Sequence, residues 1–278
     1  MIIADSLRQE AMPEMVFAIC KMALLKPKKE AMQKMITLGS GEKSSSQFER
    51  VYRFAIKCGF ISEAGDETVS TVFSTEELTS FRRFRYAVLR GVFSEQETAF
   101  TKAAKWYLRQ NIPEDVEKEH SIFSLGTAAD FLRELPDDLS IEEPFVLGFR
   151  FWMVALGLAS FTPLGPGPAS RPLLFATHRA VGDWLEFSQP FQKEVRIHAK
   201  DFFTKLKTDC PVFDGCIKNN TATPSLSSGL RVLQSCGDIE LIRVADAGDV
   251  WHLSRSAYYS KSNDLTDIVI KENRHVSL

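Results

Sequence analysis

Apolar side chains recur at Phe48, Val51, Ala55 and Cys58, a spacing that places them along one face of an α-helix. Gly59 follows at once, and "FISEAGDETVSTVF" then alternates around Ala64-Gly65-Asp66, the pattern of two short strands and a turn. Upstream, "PEMVFAICKMALL" (13–25) repeats at helical spacing behind Pro13, a residue tolerated in a first turn. "KKEAMQKMITLG" (28–39) predicts a second helix with Met32, Met35 and Ile36 inward and Gly39 as its stop. Between them and the third helix, "SGEKSSS" reads as a turn ending in candidate N-caps. Three helices followed by a hairpin is the order of a winged helix-turn-helix unit.

The same phrase is written again downstream. "SSGLRVLQSCGDIELIRVADAGDVWHLS" (227–254) predicts a helix, a Cys-Gly break and two alternating runs around Asp246-Ala247-Gly248. A mechanical reason covers both copies: a helix must end abruptly to feed a strand packed beside it. Gly59 and Gly237 then supply left-handed C-caps, Cys58 and Cys236 lie on the buried side, and Ile61 and Ile239 open the strands. The alternative is that any junction of helix and hairpin reads this way.

Between the copies the pattern is helical. Residues 75–111 open on a capping box, Ser74 with Glu77, and run through "FRRFRYAVLRGVF" and "AAKWYLRQN". From 114 to 143, ten Asp or Glu face only Lys118 and Arg133, so this stretch reads as an acidic connector with one short helix near 125–135. "PFVLGFRFWMVALGLAS" (144–160) reads as a buried helix, "TPLGPGPASRP" as a loop, and "VRIHAKDFFTKLKTD" (195–209) as another helix. The expected class is α+β, mostly α: two winged helix-turn-helix units joined by a helical region. The expected divisions are 1–75, a helical bridge at 76–143, a second winged domain at 144–260, and a C-terminal tail at 261–278.

Composition changes this picture little. The 278 residues are 44% hydrophobic and 25% charged, enough for two domains of ordinary size, with a formal charge of −2. Five cysteines without a dense pattern point to reduced thiols and a cytoplasmic protein. The N-terminus lacks the basic-then-apolar order of a secretion signal. The apolar run 151–161 is too short to span a bilayer, which needs about 20 residues, so no membrane partner is expected.

Local charge matters more. From 21 to 57, nine Lys or Arg stand against three Glu, a net of +6. Ser46, Arg50, Arg53 and Lys57 form one stripe of the third helix, opposite its apolar face. Lys28, Lys29 and Lys43 would add cations for phosphates. Ser44, Ser45 and Ser46 would offer hydroxyls and helix-terminal amides, and Gln47 and Arg50 are types that read base edges. Duplex DNA is the expected partner. The same face could instead bind protein, or simply be a solvated helix surface. The second copy exposes Ser228, Arg231 and Ser235 among Asp238, Glu240, Asp246 and Asp249, which suits protein contact or internal packing better than phosphate. The arginines of "FRRFRYAVLRGVF" could serve a single strand by stacking, but pairing with the acidic connector is the favoured reading.

No reaction is legible. Cys210 and Cys216 stand too far apart for a usual zinc pair, His178 and His198 are distant, and neither GxxxxGK[ST] nor GxGxxG occurs. No catalysis, cofactor or metal is expected.

Four stretches carry a resemblance: the first unit ending "CGFI"; "FRRFRYAVLRGVF…AAKWYLRQN"; "FRFWMVALGLASF"; and "FFTKLKTDCPVFDGC…LSSGLRVLQSCGDIEL". Through them the chain, over most of residues 12–254, resembles the DpdG-type proteins of bacterial gene clusters that insert 7-deazaguanine derivatives into DNA and restrict foreign DNA. The resemblance implies a non-catalytic accessory component of a DNA-modification and antiviral-defence system. It would work beside helicases, a nuclease and a base-exchange enzyme, and the resemblance carries over no catalytic residues. "FTPLGPGPASRP" departs from the family, which would have a more regular segment there.

Overall fold

The computed structural model describes residues 12–37, 42–94, 98–110, 128–136, 139, 143–162, 167, 169–246, 248–255 and 262–272. Contacts divide the chain into two compact units. One comprises residues 1–102 with 128–156, the other 103–127 with 157–278. The class is α+β, with small sheets among helices.

In the first unit, α1 (Pro13–Ala23) and α3 (Glu42–Lys57) pack together, with α2 (Lys29–Ile36) against both. Val16, Ile19 and Cys20 of α1 meet Phe48, Val51, Ala55 and Cys58, all fully buried, as the periodicity of α3 requires. Two details differ from the sequence reading. Met35 of α2 is 53% exposed instead of inward, because a helix this short turns only Met32 fully into the core. The segment expected as a turn is helical from Glu42, so Ser44–Ser46 lie inside α3 and cap nothing. Gly39 lies outside the described residues.

The end of α3 is as expected. Gly59 has φ +70°, the Phe60 amide donates to the Ala55 carbonyl and the Gly59 amide to that of Ile56, the double closure of a Schellman cap. Strand β1 (Ile61–Glu63) then pairs antiparallel with β2 (Val69–Thr71), with Ser62 opposite Ser70. On the other side of β2, Lys28 bridges Thr68, and the Val69 amide donates to the Pro27 carbonyl. The chain between α1 and α2 thus acts as a one-residue third strand.

Helix α4 (Phe81–Ser94) starts later than expected. Ser74 and Glu77 do exchange the hydrogen bonds of a capping box, but that box closes a single turn, and the Ser80 hydroxyl accepts from the Arg83 amide where α4 begins. Phe60, Phe73, Phe84 and Trp152 form one aromatic cluster at centroid distances of 5.0 to 6.4 Å. Trp152 comes from α7 (Glu143–Ala155), and α6 (Ala128–Glu134) packs on α7 through Phe131 and Phe149. Helix α5 (Ala99–Leu108) passes from the first unit into the second. The acidic connector between 111 and 127 lies outside the described residues.

The second unit opens with β3 (Ala159–Phe161) paired to β4 (Leu173–Phe175), followed by α8 (His178–Phe187). β5 (Arg196–His198) leads directly into α9 (Ala199–Asp209), where the sequence suggested helix throughout. A 3-10 turn (Pro211–Phe213) and the small hairpin β6 (Ile217–Lys218) with β7 (Thr221–Ala222) come before α10 (Pro224–Ser235). Gly237 has φ +79°, and the Asp238 amide reaches the Leu233 carbonyl, the same Schellman closure as at Gly59. Strand β8 (Ile239–Ile242) starts at the expected isoleucine, while Cys236 is only half-buried.

The expected hairpin after β8 does not form. β8 pairs with β11 (Asp267–Ile270), and β11 pairs on its other edge with β5. β9 (Trp251–Leu253) joins β10 (Asp264–Leu265) and lies parallel to β7. The segment expected as a C-terminal tail therefore supplies the central strand of a sheet, because Ile268, Val269 and Ile270 are apolar at consecutive positions and bury both faces. Both units share one order: helix, strand, helix, helix, strand, strand, with the last strand between the other two. In the first unit the opening strand is the bridge at Lys28.

Candidate nucleic-acid interface

Burial of the Phe48–Cys58 face leaves the opposite side of α3 to solvent. Ser46, Gln47, Arg50, Arg53 and Lys57 are all exposed, Arg53 to 81% of its side chain. Three of the cations sit on the last two turns, so Arg50 and Lys57 lie roughly 10 Å apart at about 1.5 Å per residue. That is a stretch comparable to a few phosphate spacings along one DNA strand.

The remaining predicted residues do different work. Lys29 lies 3.0 Å from Glu49 and 5.0 Å from the ring centre of Tyr52, so it ties α2 to α3. Glu49 also lies 3.7 Å from Arg53, and this one carboxylate thereby restrains two cations. Tyr52 donates to Glu63 at 2.7 Å, linking α3 to β1, and burial together with that carboxylate pushes its phenol well above the usual range. Lys28 is exposed, outside α2 at its N-cap. Gln47 donates to the sulfur of Met15 at 3.2 Å. Lys43, Ser44 and Ser45 lie in α3, and their side chains fall outside the described residues.

Acids ring the hairpin instead of cations. Glu63, Asp66 and Glu67 are exposed, and hydrogen bonds from Thr68 hold the Asp66 carboxyl below its ordinary range. Sequence reasoning missed this polarity: the cations stand on the helix and the acids on the turn beside it. In α4, Arg83 pairs with Glu76 at 2.5 Å and Arg90 lies over the Tyr86 ring, so these two arginines have local partners.

The second unit presents no comparable face on α10. Arg231, expected to be exposed, is 7% exposed, and its guanidinium donates to the Ser254 carbonyl and to Asn263 at 2.6 Å. Ser227 accepts from the Ser254 amide at 2.9 Å, and Ser254 reaches the Ala222 carbonyl. Residues distant in sequence cover this helix, which local periodicity cannot reveal. No helix among the described residues is long and apolar enough to cross a membrane.

A family model described as DpdG-like matches residues 6–247, and the chain belongs to that family. No curated protein and no solved structure matches it.

Proposed function

We propose that this member of the DpdG-like family is a non-catalytic DNA-binding or scaffold subunit of a bacterial DNA-modification and phage-defence system, working in the cytoplasm. The family membership favours a DNA-modification context. Both units are read as winged helix-turn-helix units, on the strength of their shared strand order and matching Schellman caps. The first contacts duplex DNA by laying α3 in a major groove. The observation that carries this reading is the outward stripe Arg50, Arg53 and Lys57, opposite a fully buried apolar face. Gln47 and Arg50 are placed to meet base edges, while Lys28, Arg53 and Lys57 meet phosphates.

Binding should be strongly salt-dependent. About four phosphate contacts give a log–log slope of roughly −3.6, measurable by fluorescence anisotropy on a labelled duplex. Arg50→Glu with Arg53→Glu should abolish binding while leaving the helical circular dichroism unchanged. A slope near zero, or a double variant that binds as the parent does, ends the DNA reading. The second reading, a protein adaptor without DNA contact, draws on the covered α10 and on exposed apolar residues such as Leu25 and Met35. Under it, the same double variant would lose assembly with the proteins of its gene cluster, and the parent would show no duplex binding.

A further inference from the structure

The second unit holds a cleft of about 620 Å³ between β5, the first turn of α9 and segment 244–251. Its size lies within the usual range for small-molecule sites, roughly 300–1,000 Å³. Three features make it a built site. First, α9 is an 11-residue helix whose N-cap, His198, makes no side-chain cap, so the amides of its first turn face the cleft without a carboxylate or hydroxyl cap. Second, Arg196 and Lys200 line the cleft on either side of that turn, with no ion-pair partner among the described residues. Third, Trp251 is 7% exposed and its indole N–H has no acceptor among the described residues, an expensive state for a buried donor. Its ring is held in place by stacking on Phe203 at 4.9 Å.

Carboxylates line the cleft too, and two of the three are already engaged. Asp267 accepts from the Thr266 hydroxyl at 2.6 Å with one oxygen and lies 3.0 Å from His198 Nδ1 with the other. Asp249 accepts from Asn220 at 3.2 Å. Asp201 remains, in the first turn of α9. The unspent groups are therefore two cations, a helix end and an indole donor.

We infer that this cleft binds a small phosphate monoester, with its phosphate at the amino end of α9 between Arg196 and Lys200 and an acceptor on the rest of the molecule facing the Trp251 indole. Helix termini and guanidinium groups are the recurrent partners of such phosphates. A soluble nucleotide and the 5′-phosphate end of a strand share this chemistry. The inference is independent of the DNA reading, which concerns the other unit.

The test is isothermal titration of the full chain with inorganic phosphate, adenosine 5′-monophosphate, adenosine, and a short single strand with or without a 5′-phosphate. The strand arms are run on the Arg50→Glu/Arg53→Glu background, so that α3 contributes nothing. The monophosphate should bind and adenosine should not, with inorganic phosphate weaker. Arg196→Ala with Lys200→Ala, both exposed, should weaken the monophosphate at least tenfold. Trp251→Phe should weaken the monophosphate but leave inorganic phosphate unchanged. Binding by the 5′-phosphorylated strand alone assigns the site to strand ends. No binding by any phosphate probe, equal binding of adenosine, or an indifferent double variant overturns the inference.

Discussion

Gly229 offers the sharpest test of how the second unit is packed. It lies in the middle of α10, where a glycine is unfavourable by about 1 kcal/mol relative to alanine, so Gly229→Ala should stabilise an isolated helix. Packing argues the other way. A Cβ at this position would run into the Thr177 hydroxyl oxygen and come within 2.8 Å of the His178 amide nitrogen, which is backbone and cannot rotate aside. Either α8 and α10 separate, or Thr177 turns away. Overpacking of that kind costs about 1–3 kcal/mol. Thr177 is fully buried and donates to the Ser225 carbonyl at 2.7 Å, so displacing it strands a donor for roughly another 1–3 kcal/mol. After the helix gain is credited, a net loss of about 1–5 kcal/mol remains.

The control lies on the same crossing. Gly182 of α8 would place its Cβ at an ordinary 3.6 Å from Leu233, so Gly182→Ala should be neutral or stabilising by up to about 1 kcal/mol. Urea denaturation followed by circular dichroism and tryptophan fluorescence reads both variants, and Trp184 of α8 reports from the crossing itself. Duplex binding by the first unit should survive in Gly229→Ala below its unfolding transition. A Gly229→Ala change smaller than about 0.5 kcal/mol would mean that the two helices do not approach this closely, and the description of the unit would fail.

Two further outcomes are set by the local chemistry. Gly59→Ala and Gly237→Ala meet no neighbouring atoms, so their cost is the left-handed backbone alone, about 1–2 kcal/mol each; equal stability of parent and variants in urea would remove the Schellman caps. Burial pushes the Asp209 carboxyl up, but Lys205 at 2.9 Å and the Trp184 indole at 2.9 Å outweigh it and hold the group below its ordinary value. A lowered folded value adds stability above the unfolded pKa of about 3.9 that is lost as pH falls through the folded one. Asp209→Asn should therefore be less stable than the parent at pH 7, and the gap measured by thermal melts should shrink toward zero below about pH 3; a gap independent of pH would contradict this.

Features that depend on near neighbours could be read in the sequence. The buried face of α3, the two left-handed glycines and the isoleucines that open β1 and β8 all come from spacing within a few residues. The failures are non-local. "DIVI" at 267–270 is too short to separate from a loop by periodicity, and its place between β5 and β8 depends on partners far back in the chain. Arg231 looks solvent-facing in its own helix because Ser254 and Asn263, which cover it, lie outside any local window. Within the candidate site, the stripe from Ser46 to Lys57 was legible, whereas the restraint of Lys29 and Arg53 by Glu49 was not, since that pairing depends on how α2 meets α3.

The same scaffold appears twice, and the copies differ in the segment that leaves their penultimate strand. In the first unit, residues 64–68 turn back at once, so only a short acidic tip stands beyond α3 and its cations stay in water. In the second, residues 243–266 intervene between β8 and β11, and they carry β9 and β10. Trp251, Leu253 and Leu265 of that insertion are buried, and each such side chain is worth about 1.5–3 kcal/mol of apolar burial. Burying Arg231 opposes this, because a desolvated guanidinium is costly unless its donors are met, and here the acceptors are a carbonyl and an amide oxygen without charge. The apolar gain offsets that cost only while the insertion stays in place, so the covering of α10 is a settled part of the unit. An exposed reader would have needed the opposite choice, a short turn and an arginine left in solvent, and that is the arrangement at α3.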